Sequence, residues 1–261
     1  MPLYEGKHRI ETDYFTVENG RDYSYPLHMH KYFEIVLLTS GEMWVTVDSD
    51  KYVLHKGDAV LIFPNQIHSL KTPEYSRYVT CDFIPEMVSR YAETVRGKVP
   101  VNNKVSLGNS AEFSIFASLD SGDDLFRIKG ALYLMCSLFA REFTFRKPSA
   151  KVTNPSLLYK IFDFIENHYK EECSLADLAK ALEYDYSYLS KFFAQSVGIS
   201  FNDYVRQVRI SEACYLLRNG DTSVLEISRD CGFQSLRSFN RNFLEYTGVA
   251  PLAYRHSEHN Q

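Results

Sequence analysis

Ser174-Leu175-Ala176-Asp177-Leu178-Ala179 and Ser223-Val224-Leu225-Glu226-Ile227-Ser228 are one helix start written twice. In each, Ser stands at the N-cap and an acid follows three residues on, placed to answer the backbone N–H groups that a first helical turn leaves without partners. Each start leads through a short break into a second amphipathic segment. That segment carries Leu189 and Phe193 in the first copy and Phe239 and Phe243 in the second, and it ends at Gly198 or Gly248, residues suited to a left-handed C-cap. The offset is 49 residues for the first helices and 50 for the second ones, so one break is a residue longer. A helix, a tight turn and a second helix is the unit that sets a recognition helix into the major groove of DNA. Two such units, 174–198 and 223–248, predict a chain that reads two grooves.

The sequence around these units is helical from residue 156 onward. Leu158, Ile161, Phe162 and Ile165 share one face of a first helix. A longer one, 201–217, is capped by Ser200 and stopped by Asn219-Gly220. It would span roughly 25 Å, enough to hold two recognition helices about one DNA turn, roughly 34 Å, apart. The predicted DNA-binding domain is therefore 156–256. Its charge runs against the usual basic balance: residues 151–261 hold 12 Lys/Arg and 14 Asp/Glu, net −2. Arg229, Arg237 and Arg241 nevertheless gather along the second unit, and phosphates are met locally, so modest nonspecific affinity is expected.

With Leu189, Phe192 and Phe193 turned inward, the outer stripe of the first recognition helix is Ser187, Tyr188, Ser190 and Lys191. In the second it is Arg237, Ser238, Asn240 and Arg241. Arg reads guanine and Asn reads adenine through paired hydrogen bonds, so the second unit is the richer reader. Ser and Lys point to looser readout or phosphate contacts in the first. The competing reading is a merely solvated face.

The other half of the chain reads as β-structure. Over 1–83, Phe33, Ile35 and Leu37 and then Trp44 and Thr46 alternate around Gly41, a hairpin-like signal. Tyr52-Val53-Leu54 precedes a turn at Lys56-Gly57-Asp58, and residues 59–63 read as a buried strand. Strands at this spacing predict an antiparallel barrel or jelly roll. Residues 86–96 look helical, closed by Gly97. Within the helical stretch 111–147, Ile128, Leu132, Met135, Cys136, Phe139 and Phe143 form a stripe along a helix over 125–145. That stripe either packs on its own barrel or makes a dimer, and the dimer is the expectation taken forward. Residues 148–155, with two prolines and no periodicity, read as a linker. The organisation expected is a multidomain α+β chain, with a barrel over 1–110, a helical connecting segment over 111–147, a linker and an all-α domain.

At 261 residues and 45% hydrophobic, the chain can bury the cores of two domains. No run of 18 or more apolar residues predicts a membrane span, the MPLYEGKHRI start has no apolar leader segment, and a cytoplasmic location is expected. Cys81, Cys136, Cys173, Cys214 and Cys231 lack metal-ligand spacing and read as free thiols.

His28, His30 and Glu34 fall at i, i+2 and i+6, which on an extended strand share one face, and His68 would join from another strand. Three imidazoles and a carboxylate form a competent set for Mn, Fe, Ni or Zn. They could equally hydrogen-bond a small polar effector or simply satisfy one another. Tyr32, Trp44 and Phe63 could offer stacking surface to a sugar ring, although interior aromatics of a barrel are more often packing residues.

Residues 157–255 resemble the AraC/XylS family of bacterial transcription regulators. The likeness is carried by Tyr204, Arg209-Ile210, Ala213, Leu216-Leu217, Ile227, Gly232-Phe233, Phe239, Arg241, Phe243, Gly248, Pro251 and Tyr254-Arg255. Ser228, Cys231 and Ala250 depart from it only by small residues. His28-x-His30, Glu34, Gly41, Gly57-Asp58 and His68 resemble the cupin motifs, with Asn65 and Thr72 departing from the metal-binding version. The resemblance implies a ligand-responsive transcription regulator and not an enzyme. Its cupin-like domain would take a small-molecule effector, a sugar being the guess, at His28, His30, Glu34, Trp44 and His68. Implied partners are double-stranded DNA, a second copy of the chain and RNA polymerase. No cofactor is required, and a divalent metal on the three histidines and Glu34 stays open. The rivals are a metal-dependent cupin dioxygenase or isomerase and a ligand-independent DNA-binding protein.

Overall fold

The computed structural model describes residues 14–148 and 154–256, and the chain divides into two compact units between Thr153 and Asn154. Residues 149–153 of the expected linker, and residues 1–13, lie outside the described residues.

The first unit is built on two sheets that share one long strand. Its strands are β1 (Phe15–Arg21), β2 (Ser24–His28), β3 (Phe33–Val47), β4 (Asp50–His55), β5 (Asp58–Ile62), β6 (His68–Lys71) and β7 (Ser76–Phe83). The helix α1 (Ser89–Thr94) follows a 3-10 turn. Then come β8 (Val99–Pro100), β9 (Lys104–Ser106), α2 (Ala111–Ala117), α3 (Leu125–Glu142) and β10 (Phe145–Arg146). One sheet runs β1-β7-β3-β5-β9, while β4, β3, β6 and β2 form the other.

Gly41 is where β3 changes sheets. It is not a hairpin turn, because β3 continues through it to Val47. The register against β7 shifts between Leu38 and Ser40. Gly41 has φ +75°, and a Cβ there would stand 2.2 Å from the Tyr75 carbonyl oxygen, so only glycine fits. The shift inverts the alternation. Val36 and Leu38 point between the sheets before it, and Met43, Val45 and Val47 do so after it, all within one apolar cluster. Phe33, Ile35 and Leu37 point the other way, into a second core that contains α3.

That second core settles the stripe on α3. Ile128, Leu132, Met135, Cys136, Phe139 and Phe143 are buried against the outer face of the first sheet, with Phe139 and Phe143 stacked at 5.0 Å. The helix packs on its own barrel, so these residues do not form the expected dimer contact. The helix also ends at Glu142, and Phe145–Arg146 leaves it to pair with Val99–Pro100.

The second unit is all helix: α4 (Pro155–His168), α5 (Leu175–Leu182), α6 (Tyr186–Val197), α7 (Phe201–Asn219), α8 (Val224–Asp230), α9 (Leu236–Thr247) and α10 (Pro251–His256). Ser174 and Ser223 cap α5 and α8, and the second makes the full reciprocal capping box with Glu226. Gly198 and Gly248 close α6 and α9 at φ 86° and 78°. Leu189, Phe193, Phe239 and Phe243 are fully buried, as their spacing predicts. Arg209 of α7 ties the halves together. Its guanidinium donates to the carbonyl oxygens of Tyr169 and Glu171, each at 2.7 Å, and lies over the Phe233 ring.

Candidate functional sites

Three imidazoles and one carboxylate converge between the sheets of the first unit. They do not come from one strand: His28 ends β2, His30 stands in the connection, Glu34 is the second residue of β3 and His68 opens β6. His28 and His68 are cross-strand partners, and Glu34 shares the inward parity of Val36 and Leu38. One ligand atom from each of the four lies within 4.8 Å of the others. His30, Glu34 and His68 are buried, the last completely.

Hydrogen bonding orients every ring. Nδ1 of His28 lies 3.0 Å from the Pro26 carbonyl oxygen, Nδ1 of His30 lies 3.2 Å from that of Tyr32, and Nδ1 of His68 lies 2.9 Å from that of Gln66. A carbonyl oxygen only accepts, so each Nδ1 carries the proton. Nε2 of His30 and of His68 then lie 3.1 and 2.9 Å from the same oxygen, Oε2 of Glu34. Both nitrogens of these two rings thus face oxygen acceptors, whereas a neutral imidazole has a single N–H. The cluster is short of positive charge. Burial alone would push the Glu34 carboxyl up, but the hydrogen bonds from His30 and His68 hold it well below the usual carboxylate range. Burial would likewise lower His30, and Glu34 overrides it to raise that ring's pKa. His28 is lowered by burial and by the neighbouring histidines.

Trp44 is not part of this group. Its side chain lies beyond the parity inversion at Gly41 and points away from the space between the sheets, 45% exposed. It sits opposite Val53 and Lys71, donates from Nε1 to Glu42 Oε1 at 2.7 Å, and carries the Lys71 ammonium over its ring. Of the other aromatics, Tyr32 stacks on His30 at 5.7 Å, while Phe63 belongs to the outer core against Phe33.

One residue beside the cluster escapes a motif-based reading. On β7, Tyr78 and Thr80 alternate with Val79 and Cys81 of the outer core, and Asp82 continues the inward set, directly opposite Glu34. Oδ2 of Asp82 accepts from Thr16 Oγ1 at 3.3 Å, and its Oδ1 is buried without a hydrogen-bond partner among the described residues. Burial, and then the charge of Glu34, pushes its carboxyl up to about 7. The signal in the sequence is an acid at an inward position of a strand.

In the second unit the recognition helices present the outer stripes that their sequences predict. Ser187, Tyr188 and Lys191 are exposed on α6 and Ser190 is half-buried; on α9, Arg237, Asn240 and Arg241 are exposed. Ser238 is half-buried and accepts from Asn242 through its carbonyl oxygen at 2.7 Å and its hydroxyl at 3.3 Å, so it is partly engaged within its own helix. Tyr188 is stacked between Tyr184 and Phe192, at 5.7 and 6.0 Å, which fixes its ring at the start of α6. Leu236 and Leu244 are exposed one turn to either side of Asn240, and flank the polar stripe.

Residues 14–113 match the AraC-like ligand binding domain and residues 178–257 match a helix-turn-helix domain. The chain is 23% identical over 249 residues to the uncharacterized HTH-type transcriptional regulator YdeC of Bacillus subtilis, covering 88% of this chain and 86% of that one. It is 30% identical over 127 residues to the Msm operon regulatory protein of Streptococcus mutans, covering 48% and 46%. ToxT from Vibrio cholerae shares the two-domain fold, with a TM-score of 0.59 at 15% identity over 93% of this chain and 98% of that one. A further ToxT structure, with TM-score 0.55 and 17% identity, covering 95% and 97%, is described as bound to an unsaturated fatty acid. With both domains in this order, the chain belongs to the AraC family of transcription regulators.

Proposed function

We propose that this regulator reads DNA chiefly through α9 and is controlled by what binds between the sheets at His28, His30, Glu34 and His68. The observation that carries this reading is the convergence of those four ligand atoms within 4.8 Å, in a domain matched to a ligand-binding family. The effector is a small polar molecule, a sugar being the first class to try. A carboxylate such as a fatty acid is disfavoured, because a third negative group would meet Glu34 and Asp82. The relatives are named as regulators, which supports a role without turnover. Selecting operator sequences with the purified chain, then measuring affinity for them with and without sugars, tests the reading. Effector-dependent affinity that His30→Ala abolishes is expected; selection of no preferred DNA would overturn it.

A specific observation favours a divalent cation in the same place. With every Nδ1 held by a backbone carbonyl, Nε2 is the ring nitrogen turned to the site, as in protein metal centres where the far nitrogen is held by an acceptor. A metal would displace the protons that His30 and His68 share with Glu34. Ligands about 2.1 Å from a shared ion lie roughly 3–4.3 Å apart, so the observed set closes on an ion with a small contraction. Such an ion would answer the shortage of positive charge and act as Lewis acid toward effector oxygens.

A homodimer is proposed through the opposite face of α3. Phe126, Gly130, Tyr133, Ser137 and Ala140 recur there at steps of four and three, the spacing of a helix–helix seam. Phe126 is 87% exposed and Tyr133 44%. In an antiparallel pair centred on Tyr133, Phe126 would face Ala140 of the second copy, and the two Tyr133 rings would meet at the centre.

A further inference from the structure

We propose that Asp82, directly opposite Glu34, is a second carboxylate beside the His28, His30, Glu34 and His68 cluster and helps to hold a divalent metal ion there. The proposal rests on the cation reading given above.

The argument begins with register. Asp82 lies directly opposite Glu34 on one side and Thr16 on the other, all on the inward face. Opposed residues on one face have Cβ atoms about 4.5–5.5 Å apart, and like charges in that position are destabilising. No ion pair to Lys or Arg is found for either acid among the described residues: Glu34 is bonded by imidazoles and Asp82 by the Thr16 hydroxyl alone. A buried carboxylate oxygen without a partner is costly and calls for an explanation such as a bound ion.

The donor set then selects the ion. Three imidazoles and a carboxylate converge, with a second carboxylate directly opposite the first in the sheet, and imidazole together with carboxylate suits a divalent transition metal. Asp58, the first residue of β5, shows the contrast: its carboxylate is paired with a cation, Oδ2 taking the Lys104 ammonium at 2.7 Å and the His55 amide at 2.9 Å.

Co2+ is the probe, because its visible absorption reports coordination and titration calorimetry reports affinity. The full chain, stripped with chelator, is titrated as wild type, Asp82→Asn and Thr16→Val. We expect about one equivalent bound by wild type, binding about 10- to 100-fold weaker in Asp82→Asn, and less than about a threefold change in Thr16→Val, which removes only the donor to Oδ2. Metal-free Asp82→Asn should melt at or above the wild-type temperature, since it removes an uncompensated buried charge. If wild type binds Co2+ and Asp82→Asn binds it equally, the role of Asp82 is overturned while the cation reading stands. Failure of wild type to bind overturns both. A fall in affinity matched by a fall in metal-free stability would make Asp82 structural and also overturn the proposal.

Discussion

Replacing Phe139 by Ala separates the two uses of the α3 stripe. The side chain is fully buried and stacked on Phe143 at 5.0 Å, within the core shared by α3 and the first sheet. Truncating a buried Phe costs about 3–5 kcal/mol, transfer and cavity together, and the lost ring pair accounts for about 0.5–1.5 kcal/mol of it. For a domain of this size each kcal/mol moves the midpoint by about 3–5 °C, so the sensor transition should fall by about 10–20 °C. Differential scanning calorimetry of the full chain reads this directly, while the transition of the DNA-binding unit, which contains none of these residues, stays in place. Sedimentation velocity at a temperature where both proteins are folded should show the same mass for the variant and wild type. A shift below about 3 °C, with a wild-type dimer becoming a monomer, would refute the reasoning. The stripe would then be a subunit interface.

Arg241→Ala should cost about 1–3 kcal/mol of DNA affinity and relax preference at one base position, whereas a phosphate contact would lower affinity uniformly and reduce the salt slope by about one; binding to a sequence library at two salt concentrations tells them apart. Tyr133→Asp, on the exposed face of α3, should leave the melting temperature within a few degrees and yield a monomer, and an unchanged dimer would move the interface elsewhere. Gly41→Val, forced into a positive φ and against the Tyr75 carbonyl, should leave the first unit largely unfolded by near-UV circular dichroism. Burial would push the Asp58 carboxyl up, but the hydrogen bonds from Lys104, the His55 amide and Ser106 hold it below its ordinary value. Its contribution is therefore present above the unfolded pKa of about 4 and is lost as pH falls through the folded value. Denaturant unfolding should accordingly show less acid-side loss in Asp58→Asn than in wild type.

Local chemistry made the second unit readable in advance. A Ser cap, an acid three residues on, an apolar repeat at helical spacing and a closing glycine are interactions within one turn, so Ser174, Ser223, Gly198 and Gly248 announce their helices without reference to the rest of the chain. The buried and exposed faces of α6 and α9 follow from the same period. The four-residue cluster was legible as a set of residue types, because His and Glu have few reasons to crowd near one another in sequence. Its geometry was not. The place of Trp44 depends on an inversion of strand parity at Gly41, produced by a register shift against β7. The partner of the α3 stripe depends on which face of a sheet lies beneath it, and apolar periodicity is the same whether a helix meets its own barrel or a second copy. Asp82 gains its significance from Glu34, 48 positions away in sequence and directly opposite in the sheet. Period and capping act over a few residues and are written in the chain; strand register, sheet face and the charge balance of a buried site join residues far apart in sequence, and only the folded arrangement decides them.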